Sequence, residues 1–106
     1  SIHTADNFGN LHGTEQQGIF MMEGIEDDYH IYSVEWDSTY ISGFVDGLLY
    51  FNIEKPENSS FNQWPFDSPF FLIINLAIGG NWGGVEGIDN SIFPASFIID
   101  YVRVYK

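Results

Sequence analysis

Residues 64–84 read WPFDSPFFLIINLAIGGNWGG. The middle, FFLIINLAI at 70–78, is apolar on both parities, the pattern of a strand covered on both faces inside a layered structure. Its length would also admit a buried helix, but the β-branched content and the Pro and Gly that bound it argue for a strand. Packing alone does not account for the Trp-Pro entrance or the Gly-Gly-Asn-Trp-Gly-Gly exit. The stretch is therefore expected to build something besides a core.

The flanking sequence repeats the β signal. GIFMMEG (18–24) reads as a strand, followed by an acidic turn at Glu26, Asp27 and Asp28. HIYSVEW (30–36) alternates, with His30, Tyr32, Val34 and Trp36 on the face expected to look into the core. YISGFV and LLYFNIE are separated by Asp46-Gly47, the dipeptide that suits a two-residue hairpin turn with positive φ at both central positions. KPENSSFNQ (55–63) and VEGIDNSIFPA (85–95) read as loops, and SFIIDYVRVYK (96–106) as a closing strand. Short strands with long loops and few helical signals predict an all-β sandwich in a single domain over 1–106.

Composition narrows the partners. The chain has 106 residues, 18% aromatic and 17% charged, which is a folding composition for one small domain. Fifteen acids against three Lys and Arg give a formal charge of −12, so nucleic acid and anionic membrane surfaces are poor partners. A neutral or cationic one fits better. There is no cysteine, hence no disulfide framework and no thiolate metal site. No run approaches a membrane span, and SIHTADNFGN at 1–10 lacks the features of a signal peptide. An opening on Ser1 instead of Met is read as a fragment or a processed piece.

SIHT at 1–4, HIYSVEW, FVDGLLY at 44–50, the 64–84 block, Phe93-Pro94 and DYVRVYK at 100–106 occur in an order that resembles the C-terminal half of glycoside hydrolase family 16, the laminarinase-like endo-β-1,3-glucanases and their relatives. The resemblance covers essentially the whole chain. It implies a β-jelly roll of the concanavalin A-like kind, incomplete here, with a β-glucan polysaccharide lying in a groove. It also implies a secreted or cell-surface protein that hydrolyses β-1,3 or mixed-linkage glucan with retention. The family's Glu-x-Asp-x-x-Glu strand would supply nucleophile and acid/base, and retention requires those carboxyls about 5–5.5 Å apart. That motif is absent. Glu23 lacks the Asp, and Glu26 with Asp28 lacks the final Glu because Ile31 stands there. No catalytic residue is therefore assigned to this chain, which is expected to supply groove without engine. The alternative is a non-catalytic carbohydrate-binding sandwich, with a purely structural domain a third reading.

The resemblance also points to binding residues. His3 matches a groove histidine that hydrogen-bonds substrate or an acid; without the motif it reads as a surface histidine near a terminus. Trp82, presented between Gly79-Gly80 and Gly83-Gly84, is the candidate sugar platform, with a core cap as the competing reading. Asn81 suits sugar hydroxyls or a turn. Asn75, an amide inside an apolar run, must be hydrogen-bonded or face a wet groove. Trp64 is a cleft-wall candidate, although Trp-Pro-Phe at a strand entrance is more often a packing corner. Tyr32, Trp36, Phe44, Phe51, Phe70 and Phe97 read as core. His12 and His30 have no metal-like spacing, and Glu35 alternates away from the core. Asp100 matches the carboxylate of a structural Ca²⁺ site, against the reading of an exposed strand Asp without metal; calcium needs several further oxygens. Half a jelly roll leaves open edges, so the chain is expected to pair with the missing N-terminal half or with another copy.

Overall fold

The computed structural model describes residues 2–4, 18–25 and 27–106. Expectations for His12 and Glu26 lie outside the described residues. Cα clustering divides the chain into two compact units, 1–70 and 71–106.

The first unit is organised by one antiparallel meander. Strand β1 (Tyr32–Trp36) pairs with β2 (Tyr40–Val45), which pairs with β3 (Leu48–Glu54). Both turns follow from their sequences. Asp46 and Gly47 adopt φ of 50° and 78°, the doubly positive geometry that matches a tight hairpin to the twist of its strands and that few residues except Gly, Asn and Asp accept. Between β1 and β2 the Asp37 carboxylate folds back over its own loop. Its Oδ1 accepts from Thr39 N–H and Thr39 Oγ1, both at 2.6 Å, and from Tyr40 N–H at 3.2 Å. This is the Asx geometry that makes Asp a turn former.

Pairing register sorts the side chains into two faces. Trp36 lies opposite Ile41 and Ile41 opposite Ile53; Glu35 lies opposite Ser42 and Ser42 opposite Asn52. One face is therefore apolar and the other polar, as the alternation requires. A bulge falls where Gly43 pairs with Phe51 but Phe44 pairs with Leu49, leaving Tyr50 as the extra residue on β3. Gly43 is needed there: a Cβ at this position would overlap the Phe51 ring.

Ile41, Ile53 and Trp64 form the buried cluster, with Ile2, Phe51 and Phe66 packed against it. Trp64 is only 3% exposed and meets Phe66 edge-on at 5.1 Å; Phe66 in turn lies 5.6 Å from Phe70. The face expected for β1 holds in register, since Tyr32, Val34 and Trp36 share the side of Ile41 and Val45. Their burial does not hold: β1 is an edge strand, and Tyr32 and Trp36 are largely exposed, as are Phe70 and Phe97. Phe44 and Phe51 are half-buried.

Among the described residues the chain is all-β, with one small sheet and almost no helix, yet three expected strands do not form. Residues 18–22 carry no regular structure and 23–25 form a turn. In the second unit, 70–79 and 95–106 run without a ladder, and the only regular elements are helix α1 (Gly80–Gly83) and a 3-10 turn at Asn90–Ile92. The Phe93-Pro94 bond is cis. Strand preference is a preference for a pleated, partnered surface, and a run apolar on both parities needs neighbours on both edges and both faces. Among the described residues no segment provides them, and Phe71, Leu72 and Ile73 are largely exposed.

Truncating Trp64 to Ala removes the largest member of the buried cluster and should cost about 3 kcal/mol or more in chemical denaturation, with Trp64→Phe recovering part of the loss. Asp46 gives a pH signature. Its carboxyl is held below the ordinary 3.8, first by the hydrogen bond from His30 and then by that from Ile31 N–H. A depressed folded value stabilises the fold above the unfolded value and loses that contribution as pH falls through the folded one. The urea midpoint should therefore fall on acidification below about pH 4, and Asp46→Asn should be less stable at neutral pH with a shallower acid limb.

Candidate functional site

Two of the expected binding residues belong to the first unit. Ile2 packs on the core cluster and Thr4 is buried, so the alternation of an extended segment leaves His3 exposed between them. Trp64 occupies the same cluster from the opposite end of the unit's sequence. Its burial in that cluster makes it a packing corner in this structure, with no ring face presented to solvent. Its indole N–H is buried without a hydrogen-bond partner among the described residues. His3 and Trp64 are thus brought to one cluster, the first at its rim and the second inside.

The other four lie in the second unit. Asn75 is exposed within the ladder-free run, as are its neighbours in 71–78. The glycine-rich exit is a single helical turn: Gly79 and Gly80 have φ of 71° and 82°, and Gly84 N–H donates to Gly80 O at 3.0 Å. Asn81 is exposed on that turn. Trp82 has its backbone there, and its side chain lies outside the described residues. Asp100 is exposed. Among the described residues no three His, Asp or Glu side chains converge as metal ligands, so Asp100 offers one carboxylate and these residues do not make a calcium site by themselves.

Electrostatics separates structural acids from chemical ones. Asp37, Asp46 and Asp89 are all held below the ordinary carboxylate range, chiefly by side-chain hydrogen bonds from Thr39, His30 and Ser91 respectively. A glycosidic general acid needs the opposite shift. Glu35 and Asp37 reproduce the start of a Glu-x-Asp-x-x-Glu pattern, but Tyr40 stands at its end and Asp37 is committed to its turn.

The sequence reading missed three features. His30 Nδ1 lies 2.6 Å from Asp46 Oδ2, with its Nε2 buried and unpartnered among the described residues. Lys55 Nζ pairs with Asp67 at 2.8 Å. An open depression of about 660 Å³ lies between the β1–β2 loop and the segment after β3. The Asp-Ser-Thr loop was the one available signal; the rest are contacts distant in sequence. No helix of the described residues is long and apolar enough to cross a membrane.

The model of the family "Glycosyl hydrolases family 16" matches residues 3–102. A beta-glucanase of Rhodothermus marinus is 40% identical over 111 residues, covering 100% of this chain and 38% of its own length. A glucan endo-1,3-beta-glucosidase A1 of Niallia circulans is 42% identical over 91 residues, covering 76% of this chain and 12% of its own. The clotting factor G alpha subunit of Tachypleus tridentatus is 48% identical over 79 residues, covering 74% and 11%. The chain therefore spans well under half the length of these relatives.

Proposed function

Because this chain belongs to glycosyl hydrolase family 16, whose fold is a jelly roll, we propose that it forms part of the saccharide groove of a retaining endo-β-glucanase acting on β-1,3 or mixed-linkage glucan. The observation that carries the reading is the 40% identity to a beta-glucanase across the whole chain. The groove side chains are Asn75 and Asn81, which hydrogen-bond sugar hydroxyls, Trp82, whose ring lies against a pyranose face, and His3, which hydrogen-bonds substrate or a catalytic acid. The exposed amides of Asn75 and Asn81 support these roles, since both are open to a ligand.

The chemistry is a double displacement, in which one carboxylate attacks the anomeric carbon while a carboxylic acid protonates the departing oxygen, and water then hydrolyses the glycosyl-enzyme. The two carboxyls come from a Glu-x-Asp-x-x-Glu strand that this sequence does not contain. They are supplied by other polypeptide in the active protein, which acts on polymer outside the cell. The same additional polypeptide, or a second copy of the chain, covers the exposed apolar residues of 70–78 and 96–105. Asp100 enters as one carboxylate of a structural calcium site whose other oxygens lie beyond the described residues, and loss of thermal stability on chelation in the active protein is the expected sign.

The full protein containing this chain should release reducing ends from laminarin or lichenan, with the β anomer appearing first by NMR, and leave agarose and carrageenan intact. Asn75→Ala should lower kcat/KM about tenfold, on the order of 1.4 kcal/mol. Binding of laminarin without any hydrolysis would replace the enzyme by the non-catalytic carbohydrate-binding reading. Neither binding nor hydrolysis would remove both.

A further inference from the structure

The open depression at the end of the meander is lined by hydrogen-bond donors and acceptors, and its walls are tied by hydrogen bonds of their own. Its volume, about 660 Å³, falls in the range of roughly 300–1,000 Å³ usual for such sites. One wall is the β1–β2 loop, where Asp37 fixes both Thr39 and Tyr40 and donates its own N–H to Tyr40 O at 3.1 Å. The other wall is the turn after β3, closed by Ser59 N–H donating to Pro56 O at 3.2 Å, with Asn58 at φ 57°. Lys55 N–H donates to Thr39 O at 2.7 Å and ties the walls together. The floor is Tyr40 with its register partner Glu54, and Asn52.

We propose that this depression binds a neutral saccharide. Asn52 Oδ1 accepts the Ser42 hydroxyl at 2.7 Å, which leaves the amide NH₂ as the group to donate to a ligand. Glu54 offers a carboxylate as acceptor, the stronger kind for a hydroxyl donor, and Asn58 offers both functions. Adjacent donors and acceptors of this sort match the vicinal hydroxyls of a pyranose, while Tyr40 supplies aromatic surface for its C–H face. Walls already held by hydrogen bonds lower the ordering cost of binding. The sign of the field excludes the anionic class: Lys55 is drawn to Asp67, and Glu54 and Glu57 leave the depression negative. The neutral class stands on these groups; the choice of a β-1,3-linked probe rests on the function proposed above.

The test is an amide-shift titration of the ¹⁵N-labelled full protein, with both glutamates of its Glu-x-Asp-x-x-Glu strand changed to Gln so that the probe survives, with laminarihexaose, and separately with a sulfated κ-carrageenan oligosaccharide. Laminarihexaose should shift the amides of 39–40 and 52–58, and the sulfated probe should not. Glu54→Gln should raise the Kd read from those amides about fivefold, the replacement of a charged acceptor by a weaker neutral one. Tyr40→Leu should do the same, with dispersion of the spectrum reporting that the fold is kept. Saturating laminarihexaose that leaves 39–58 unmoved overturns the inference. If 75–82 respond in that case, the groove reading stands by itself; if nothing responds and the unaltered protein hydrolyses nothing, both fall.

Discussion

The sheet of the first unit depends on a single carboxylate. Asp46 sits in the β2–β3 turn with positive φ, yet its side chain reaches the third strand of the meander. Oδ1 accepts from Ile31 N–H at 2.9 Å, Oδ2 pairs with His30 Nδ1 at 2.6 Å, and Asp46 N–H donates to Ile31 O at 2.9 Å. The residue that closes one hairpin therefore also anchors the start of the strand belonging to the other. A two-stranded hairpin is marginal in water, and a third strand is what lets an apolar face persist. Asp at this position satisfies the turn and recruits that strand; Asn would keep the turn and the Ile31 contact but lose the charge.

Once β1, β2 and β3 are locked in register, the two faces acquire different uses. Ile41, Ile53 and Phe51 receive Trp64, Phe66 and Ile2, and the close approach of Phe51 over Gly43 sets the bulge at Tyr50. The polar face carries Glu35, Ser42 and Asn52 in one row and Tyr40 with Glu54 in the next. Core and ligand-accessible surface are thus two sides of the same three strands, so the pairing that buries Ile41 also presents Asn52.

The parts of this fold legible in the sequence are those governed by neighbours along the chain. Alternation in HIYSVEW located β1 and its faces, and Asp-Gly located the hairpin, because period and turn chemistry are local. FFLIINLAI and SFIIDYVRVYK carry equally strong local signals and form no ladder, since strand formation is completed by a partner and local pattern does not say where the partner comes from. Trp64 shows the same limit at the level of one residue: Trp-Pro-Phe announces an aromatic corner, but only its distance to Phe66 and its place beside Ile41 and Ile53 decide between core and cleft. The depression was not legible, since Thr39, Asn52 and Asn58 are unremarkable until the meander brings them together.

The charge imbalance acquires a physical role in this light. Three of the acids, Asp37, Asp46 and Asp89, accept from backbone N–H groups and are held below the ordinary carboxylate range. Of the three cations, Lys55 is held by Asp67, and the Arg103 guanidinium lies 4.4 Å from the Tyr101 ring centroid. Little positive charge is left to balance the acidic surface, and a field of that sign turns away sulfated, phosphorylated or carboxylated polymers over a Debye length. Carboxylates accept hydrogen bonds from sugar hydroxyls without needing a counter-charge. An acidic surface of this kind therefore disfavours anionic polymers by repulsion, which is discrimination achieved against the wrong partner and not by contacts to the right one.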